Sequence, residues 1–250
     1  MHGAFLFLSV FLASIVEGVE ALTIVLAVGT TRSWSSAWYG IAAAGVVLAG
    51  FVAVLGPALT ALPINALRLV IGGLLLTFGL QWLRKAILRA SGFRPLHDED
   101  AIFNKATAAA TKSGRDIRKG LVDDWYSFTL AFKSVLLEGM EVAFIVVTFG
   151  ANQRSIPLAI AGAASAVFAV VLMGIIARAP LTRVPENSLK FAVGIMLTSF
   201  GLFWGSEGAG VRWPGKDAAL VGIIVFILWS ALLQITWLRR RHNQTPVGAT

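Results

Sequence analysis

The chain has 250 residues, 57% of them hydrophobic and only 14% charged, with a mean hydropathy of +0.78. Soluble domains carry about 25% charged residues, so this composition excludes an ordinary soluble globular domain. The absence of cysteine excludes structural disulfides, thiolate metal sites and thiol redox chemistry. The net charge of +8 reads as the basic loops of a membrane protein, not as a nucleic-acid-binding surface.

Seven apolar runs have about the 20-residue length that crosses a bilayer. They lie at 4–28, 37–60, 64–89, 126–150, 156–178, 186–206 and 217–238. The first run lacks a basic leader and a small-x-small cleavage site, so it reads as a retained helix and not as a signal peptide. Within it, SIVEGVEALTIVLAVG places Glu17 and Glu20 at i, i+3, about one turn apart on one helical face. The second run opens with Trp34, Trp38 and Tyr39, which fit an interfacial aromatic belt. The third ends in Arg84, Lys85 and Arg89 and leads into a charged stretch at 90–124. That stretch holds Arg94, Lys105, Lys112, Arg115, Arg118, Lys119 and the run His97, Asp98, Glu99, Asp100. A metal-sensing loop is one reading of that run; a solvated charge run is the favoured one.

The fourth run repeats the signature of the first. VLLEGMEVAFIVVTFG carries Glu138 and Glu141. Lys133 lies about 140° around the helix from Glu138 at 100° per residue, so it is expected to snorkel to the surface. Arg178 and Arg183 separate the fifth and sixth runs, and Arg239, Arg240 and Arg241 follow the seventh. Positive charge marks the cytoplasmic face. Seven spans put these basic clusters on one side, with the N-terminus out and the C-terminus in. The outward loops keep scattered cations such as Arg154, Arg212 and Lys216.

The two glutamate segments are offset by 121 residues, and the third and sixth runs align at an offset of 122. Matching pairs include Phe7/Phe128, Gly18/Gly139, Gly29/Gly150, Asn65/Asn187, Gly72/Gly194, Gly79/Gly201 and Trp82/Trp204, with Pro63/Pro185 and Pro57/Pro180. A duplicated three-helix unit follows. The expected layout is repeat unit 1 at 1–90, a basic cytoplasmic loop at 91–124, repeat unit 2 at 125–208, and an extra helix with a basic tail at 209–250. Three spans is an odd number, so the two units enter the membrane from opposite sides. The expected fold is therefore an all-α integral membrane protein, a 3+3 inverted repeat plus one helix. Secondary transporters use such repeats and bind substrate near the midplane where the repeats meet.

An ionised group at mid-bilayer costs roughly 2.5–3.5 kcal/mol on insertion scales. Four glutamates are tolerable if they converge on something positive. Carboxylates without cysteine or histidine form a hard oxygen site suited to iron, manganese, calcium or magnesium. Crowded carboxylates hold protons that a cation would displace, which links cation binding to proton release. Glycine after each first glutamate would admit a facing helix. Thr23, Thr148, Thr77 and Ser199 are candidate neutral oxygens, though membrane-helix hydroxyls mostly bond their own backbone. Arg68 and Lys190 hold matching repeat positions, read as interfacial anchors.

Two E-x-x-E segments in the first and fourth of seven helices resemble the oxidase-dependent iron permease family, within the lysine-exporter-like superfamily of three-plus-three inverted repeats. The resemblance implies that Glu17, Glu20, Glu138 and Glu141 bind and pass a metal cation. That family carries arginine before each first glutamate; here Val16 and Leu137 stand there. The expectation carried over is the carboxylate site, not ferric iron or a partner oxidase. The superfamily's manganese and calcium exchangers use E-x-G-D-[KR]-[ST], and Glu17-Gly18-Val19-Glu20 lacks its aspartate and basic residue.

The expected function is secondary transport of iron or manganese across the cell membrane by a multi-pass protein, with the metal as substrate and no resident cofactor. The bilayer and the cation are its partners. An exporter of an amino acid or organic cation is an alternative, with Gln81 as its one amide candidate. A non-transporting assembly protein, pairing helices through the glutamates, is another. An intramembrane enzyme is not expected, because di-iron sites want Glu-x-x-His and His2, His97 and His242 lie outside the spans. Small faces at Gly40/Ala44 and Gly162/Ala166 permit close helix contacts, within one chain or in a homo-oligomer.

Overall fold

A computed structural model describes residues 2–113, 122–177 and 186–244. The expected cytoplasmic markers Arg115, Arg118, Lys119, Arg178 and Arg183, and the repeat prolines Pro180 and Pro185, lie outside them. Every regular element among the described residues is helical. The helices are α1 (His2–Thr31), α2 (Trp34–Thr60), α3 (Ile64–Ala90), α4 (Glu99–Lys112), α5 (Trp125–Asn152), α6 (Ile156–Ala177), α7 (Glu186–Gly208) and α8 (Ala219–Gln244), with a single 3-10 turn at Lys216–Ala218. Six stretches, in all the long helices but α5, are long and apolar enough to cross a membrane, as a multi-pass membrane protein requires. The seventh long helix, α5, has 28 residues, about 42 Å at 1.5 Å per residue. Lys133, Glu138 and Glu141 make it the most charged of the long helices over its middle turns. Lys133 is exposed.

The stretch at 90–124 differs from a plain loop, because it contains α4. Asp98 caps that helix by accepting a hydrogen bond from the Ala101 N–H at 3.0 Å. Glu99 and Asp100 sit in the first turn and Lys112 in the last, each complementing the helix dipole. Ile102, Phe103, Ala106 and Ala110 form its less exposed face, and that face is too short to stand out in a hydropathy scan. The acidic run is therefore a helix start, and with Glu99 only 5% exposed it is not the wholly solvated charge run expected.

The helices gather into two compact units, one of residues 1–60 and 98–184, the other of 61–97 and 185–250. These do not follow the sequence halves. In the first unit α1 packs against α6 and α5, α2 packs against α5, and α4 lies on α1. In the second, α3 packs along α7, with α8 beside them. Positions that match in the sequence repeat make matching contacts. A Cβ at Gly40 of α2 would fall 2.5 Å from the Phe128 carbonyl oxygen and close to Ala131 and Phe132. A Cβ at the matching Gly162 of α6 would fall 2.9 Å from the Phe7 carbonyl oxygen, with Val10 and Phe11 beside it. In the second unit Gly79 faces Thr198 and Gly201 faces Leu76, while Gly72 faces Gly205 and Gly194 faces Leu83. Residue numbers rise on α3 as they fall on α7, so the two helices run antiparallel. The small faces at Gly40/Ala44 and Gly162/Ala166 are thus covered within the chain, with Ala44 and Ala166 fully buried.

Candidate cation site

The site is built where α1 crosses α5 in the first unit. The helices are antiparallel. The Ser134 hydroxyl donates to the Ala21 carbonyl at 3.5 Å, and Glu17, four residues back along α1, meets Glu138, four residues on along α5. One carboxylate oxygen each from Glu17, Glu138 and Glu141 lies within 4.8 Å of the other two. Glu17 is 1% exposed; Glu138 and Glu141 are half-buried. Hard cations bind oxygens at roughly 2.0–2.6 Å, so ligands across one ion stand up to about 5 Å apart, and the triad meets that spacing. Glu20 is half-buried one turn farther along α1 and does not belong to the triad. Three of the four expected carboxylates are thus brought together, and the matching of Glu20 with Glu141 in the repeat is not reproduced here.

The glycine after each first glutamate does what its size allows. A Cβ at Gly18 would meet Val170 of α6 at 3.2 Å, and one at Gly139 would strike Leu48 of α2. Leu48 and Val170 are themselves matching positions. These side chains close over α5 and α1 at the level of the carboxylates. Of the positions that carry arginine in the permease pattern, Val16 is fully buried while Leu137 is 65% exposed.

The expected neutral oxygens are committed elsewhere. Thr23 donates to the Val19 carbonyl at 3.0 Å, Thr148 to Phe144 at 2.6 Å, Thr77 to Gly73 at 2.8 Å and Ser199 to Ile195 at 2.8 Å. Each satisfies its hydroxyl on its own helix. Ser14 behaves differently: it is 1% exposed and its Oγ makes no hydrogen bond. Sequence reasoning passed over it, although it lies one turn before Glu17.

Two buried polar nodes also escaped the sequence. In the first unit Arg32 follows α1. Its Nε donates to Asp124 Oδ2 at 2.6 Å and its Nη1 to the carbonyls of Ala110 and Ser113 and to Ser113 Oγ, each at 2.8 Å. The guanidinium also lies 4.8 Å from the Tyr126 ring centroid. Asp124 caps α5 by accepting from the Ser127 N–H, and its own N–H donates to Ser36 Oγ. Burial opposes ionisation of Asp124, but the hydrogen bond from Arg32, that from Ser127 and the nearby guanidinium charge outweigh it and hold its carboxyl below the ordinary value.

In the second unit Glu186, 3% exposed, starts α7. It meets His97 Nε2 at 3.2 Å, Arg89 at 3.5 Å and Lys190 at 3.6 Å. Asn187 accepts from the His97 N–H at 3.3 Å and donates to its carbonyl at 3.4 Å, which ties the end of the 91–97 segment to α7. Lys190 is buried over Trp82, 5.5 Å from its ring centroid, whereas its repeat counterpart Arg68 forms a more exposed pair with Glu207 at 3.4 Å. Lys190, buried in an ion-paired cluster, is therefore not a simple interfacial anchor. Comparison of the chain with family models, curated proteins and solved structures finds no match, so the permease resemblance rests on the two glutamate segments and the repeat.

Proposed function

We propose that this chain is a secondary transporter of a hard metal cation, iron or manganese, in the cell membrane. One observation carries the reading: three carboxylates from two antiparallel helices converge within 4.8 Å inside segments of membrane-spanning length. Intramembrane carboxylates mark ion pathways by default, and an all-oxygen set selects hard cations. Protons would occupy the triad when the cation leaves, so exchange of cation for protons is its natural cycle. On this reading α1, α2, α3, α5, α6, α7 and α8 are seven spans, arranged as a 3+3 inverted repeat plus one, with the N-terminus outside. The matching contacts at Gly40 and Gly162, and at Gly79 and Gly201, support that symmetry. No enzymatic role and no partner oxidase is part of the proposal.

The test is uptake of Fe²⁺, Mn²⁺ and Ca²⁺ into liposomes holding the purified protein, at two pH gradients, beside Glu17→Gln and Glu138→Gln. Uptake of iron or manganese that follows the pH gradient and disappears in both variants is expected. Equal flux through wild type and variants would refute the reading.

A further inference from the structure

We propose that Ser14 donates a fourth, neutral oxygen to the cation held by Glu17, Glu138 and Glu141, and that this hydroxyl biases the site toward hard cations. The proposal rests on the cation-site reading and deepens it.

Several hydroxyls of the long helices, Thr23 on α1 and Thr148, Ser199 and Ser206 on others, donate to the carbonyl four residues back. That bond is the ordinary resting place of a hydroxyl in an apolar helix. Ser14 is as buried as any of them, at 1% exposure, yet its Oγ makes no hydrogen bond. A buried hydroxyl left without a partner is costly; Ser127 and Thr198 share that state, but of the three only Ser14 lies within one turn of a triad glutamate on its own helix.

Ser14 precedes Glu17 by three residues, which puts both on one face of α1. The antiparallel register of α1 on α5 then locates it across the gap. From the Ser134–Ala21 contact, four steps outward on both helices meet Glu17 and Glu138. Seven steps meet Ser14 and Glu141. Ser14 is therefore level with the third carboxylate of the triad. Its repeat counterpart is Val135, which packs at the edge of an apolar cluster. The duplication does not require the hydroxyl, and only one copy carries it.

The chemistry fits the position. Three carboxylates supply charge, and a hydroxyl adds a hard donor without adding more. An all-oxygen set disfavours soft ions, and a single sulfur in its place would admit them.

The full chain, purified into lipid nanodiscs, is titrated with Mn²⁺ by electron paramagnetic resonance and with Cd²⁺ by ultraviolet absorption. Ser14→Ala is expected to weaken Mn²⁺ binding about tenfold, the order of losing one neutral donor. Ser14→Cys, nearly isosteric, is expected to shift the preference toward Cd²⁺ and to show cadmium–thiolate charge-transfer absorption. That signal is unambiguous, because the chain has no cysteine of its own. It would also not arise from a merely structural serine. Should Ser14→Ala fail to fold, Ser14→Cys alone decides the matter. Wild-type Mn²⁺ affinity in Ser14→Ala, or a Ser14→Cys protein that binds Cd²⁺ without the thiolate band, overturns the role of Ser14. Glu17→Gln separates the two layers. If it abolishes binding while Ser14→Ala does not, only Ser14 is misassigned. If it binds Mn²⁺ like the wild type, the cation site itself fails, and this proposal with it.

Discussion

Replacing Arg32 by alanine should destabilise the protein far more than the loss of an exposed paired charge. The guanidinium makes hydrogen bonds of 2.6–2.8 Å to Asp124, Ala110 and Ser113. The paired side chains are 3% and 9% exposed. Deleting one member of a buried pair leaves the other charge uncompensated, at a cost of about 3–5 kcal/mol. The Arg68–Glu207 pair, 38% and 20% exposed, is the internal control. Arg68→Ala should cost about 0–1 kcal/mol, as exposed pairs do. Reversible unfolding in mixed micelles, followed by tryptophan fluorescence, measures both. The pH dependence has a definite sign. The carboxyl of Asp124 is depressed in the folded state, so its contribution is present above the unfolded value and is lost as pH falls through the folded one. Wild-type stability should therefore drop below about pH 4, the usual carboxylate range. Asp124→Asn, which keeps an amide oxygen able to cap α5, should lose the share of that drop that Asp124 contributes. If Arg32→Ala costs no more than Arg68→Ala, or if Asp124→Asn retains the full acid transition, the node is not the buried ion pair described here.

Glu17→Gln should abolish cation flux while leaving unfolding stability of the metal-free protein about unchanged, because glutamine has the size and neutrality of a protonated glutamate; a matching loss of stability would favour the assembly-protein reading instead. Gly201→Ala should destabilise by about 1–3 kcal/mol through overpacking against Leu76. Gly45→Ala, with nothing within 4 Å, should gain up to about 1 kcal/mol from helix propensity; equal effects in the same unfolding assay would contradict the packing described. Asn187→Ala should speed amide hydrogen exchange at His97, whose N–H it now engages, and unchanged protection there would refute the tether.

Hydropathy was enough to find the long helices, because runs of about 20 apolar residues have few other uses. The glutamate segments stood out for the same reason, since carboxylates are expensive in such runs. α4 stayed hidden because its core-facing residues are few and its caps read as loop charge. Arg32 at a span end reads as a topology marker, and Glu186 at a helix start reads as a dipole partner; only packing shows that both are buried. Membership of the triad was likewise invisible. Residues at i, i+3 share a face, but the crossing of α1 on α5 decides that Glu141 joins Glu17 and Glu138 while Glu20 does not. The choice between Ser14 and the threonines turned on which hydroxyls bond back to their own helix, a property of coordinates and not of spacing.

The interleaved packing has a consequence for how the chain is made. The main partner of α2 is α5 and that of α3 is α7, so each early helix waits for one far downstream. Gly40 meets Phe128, 88 residues later, and Gly79 meets Thr198, 119 residues later. At about 5–20 residues per second, those grooves stay open for seconds to tens of seconds during synthesis. The first three helices therefore reach the bilayer without their principal neighbours. A ribosome stalled before α5 leaves a fragment that cannot complete either unit, and a product of this kind is what membrane quality control would encounter and remove.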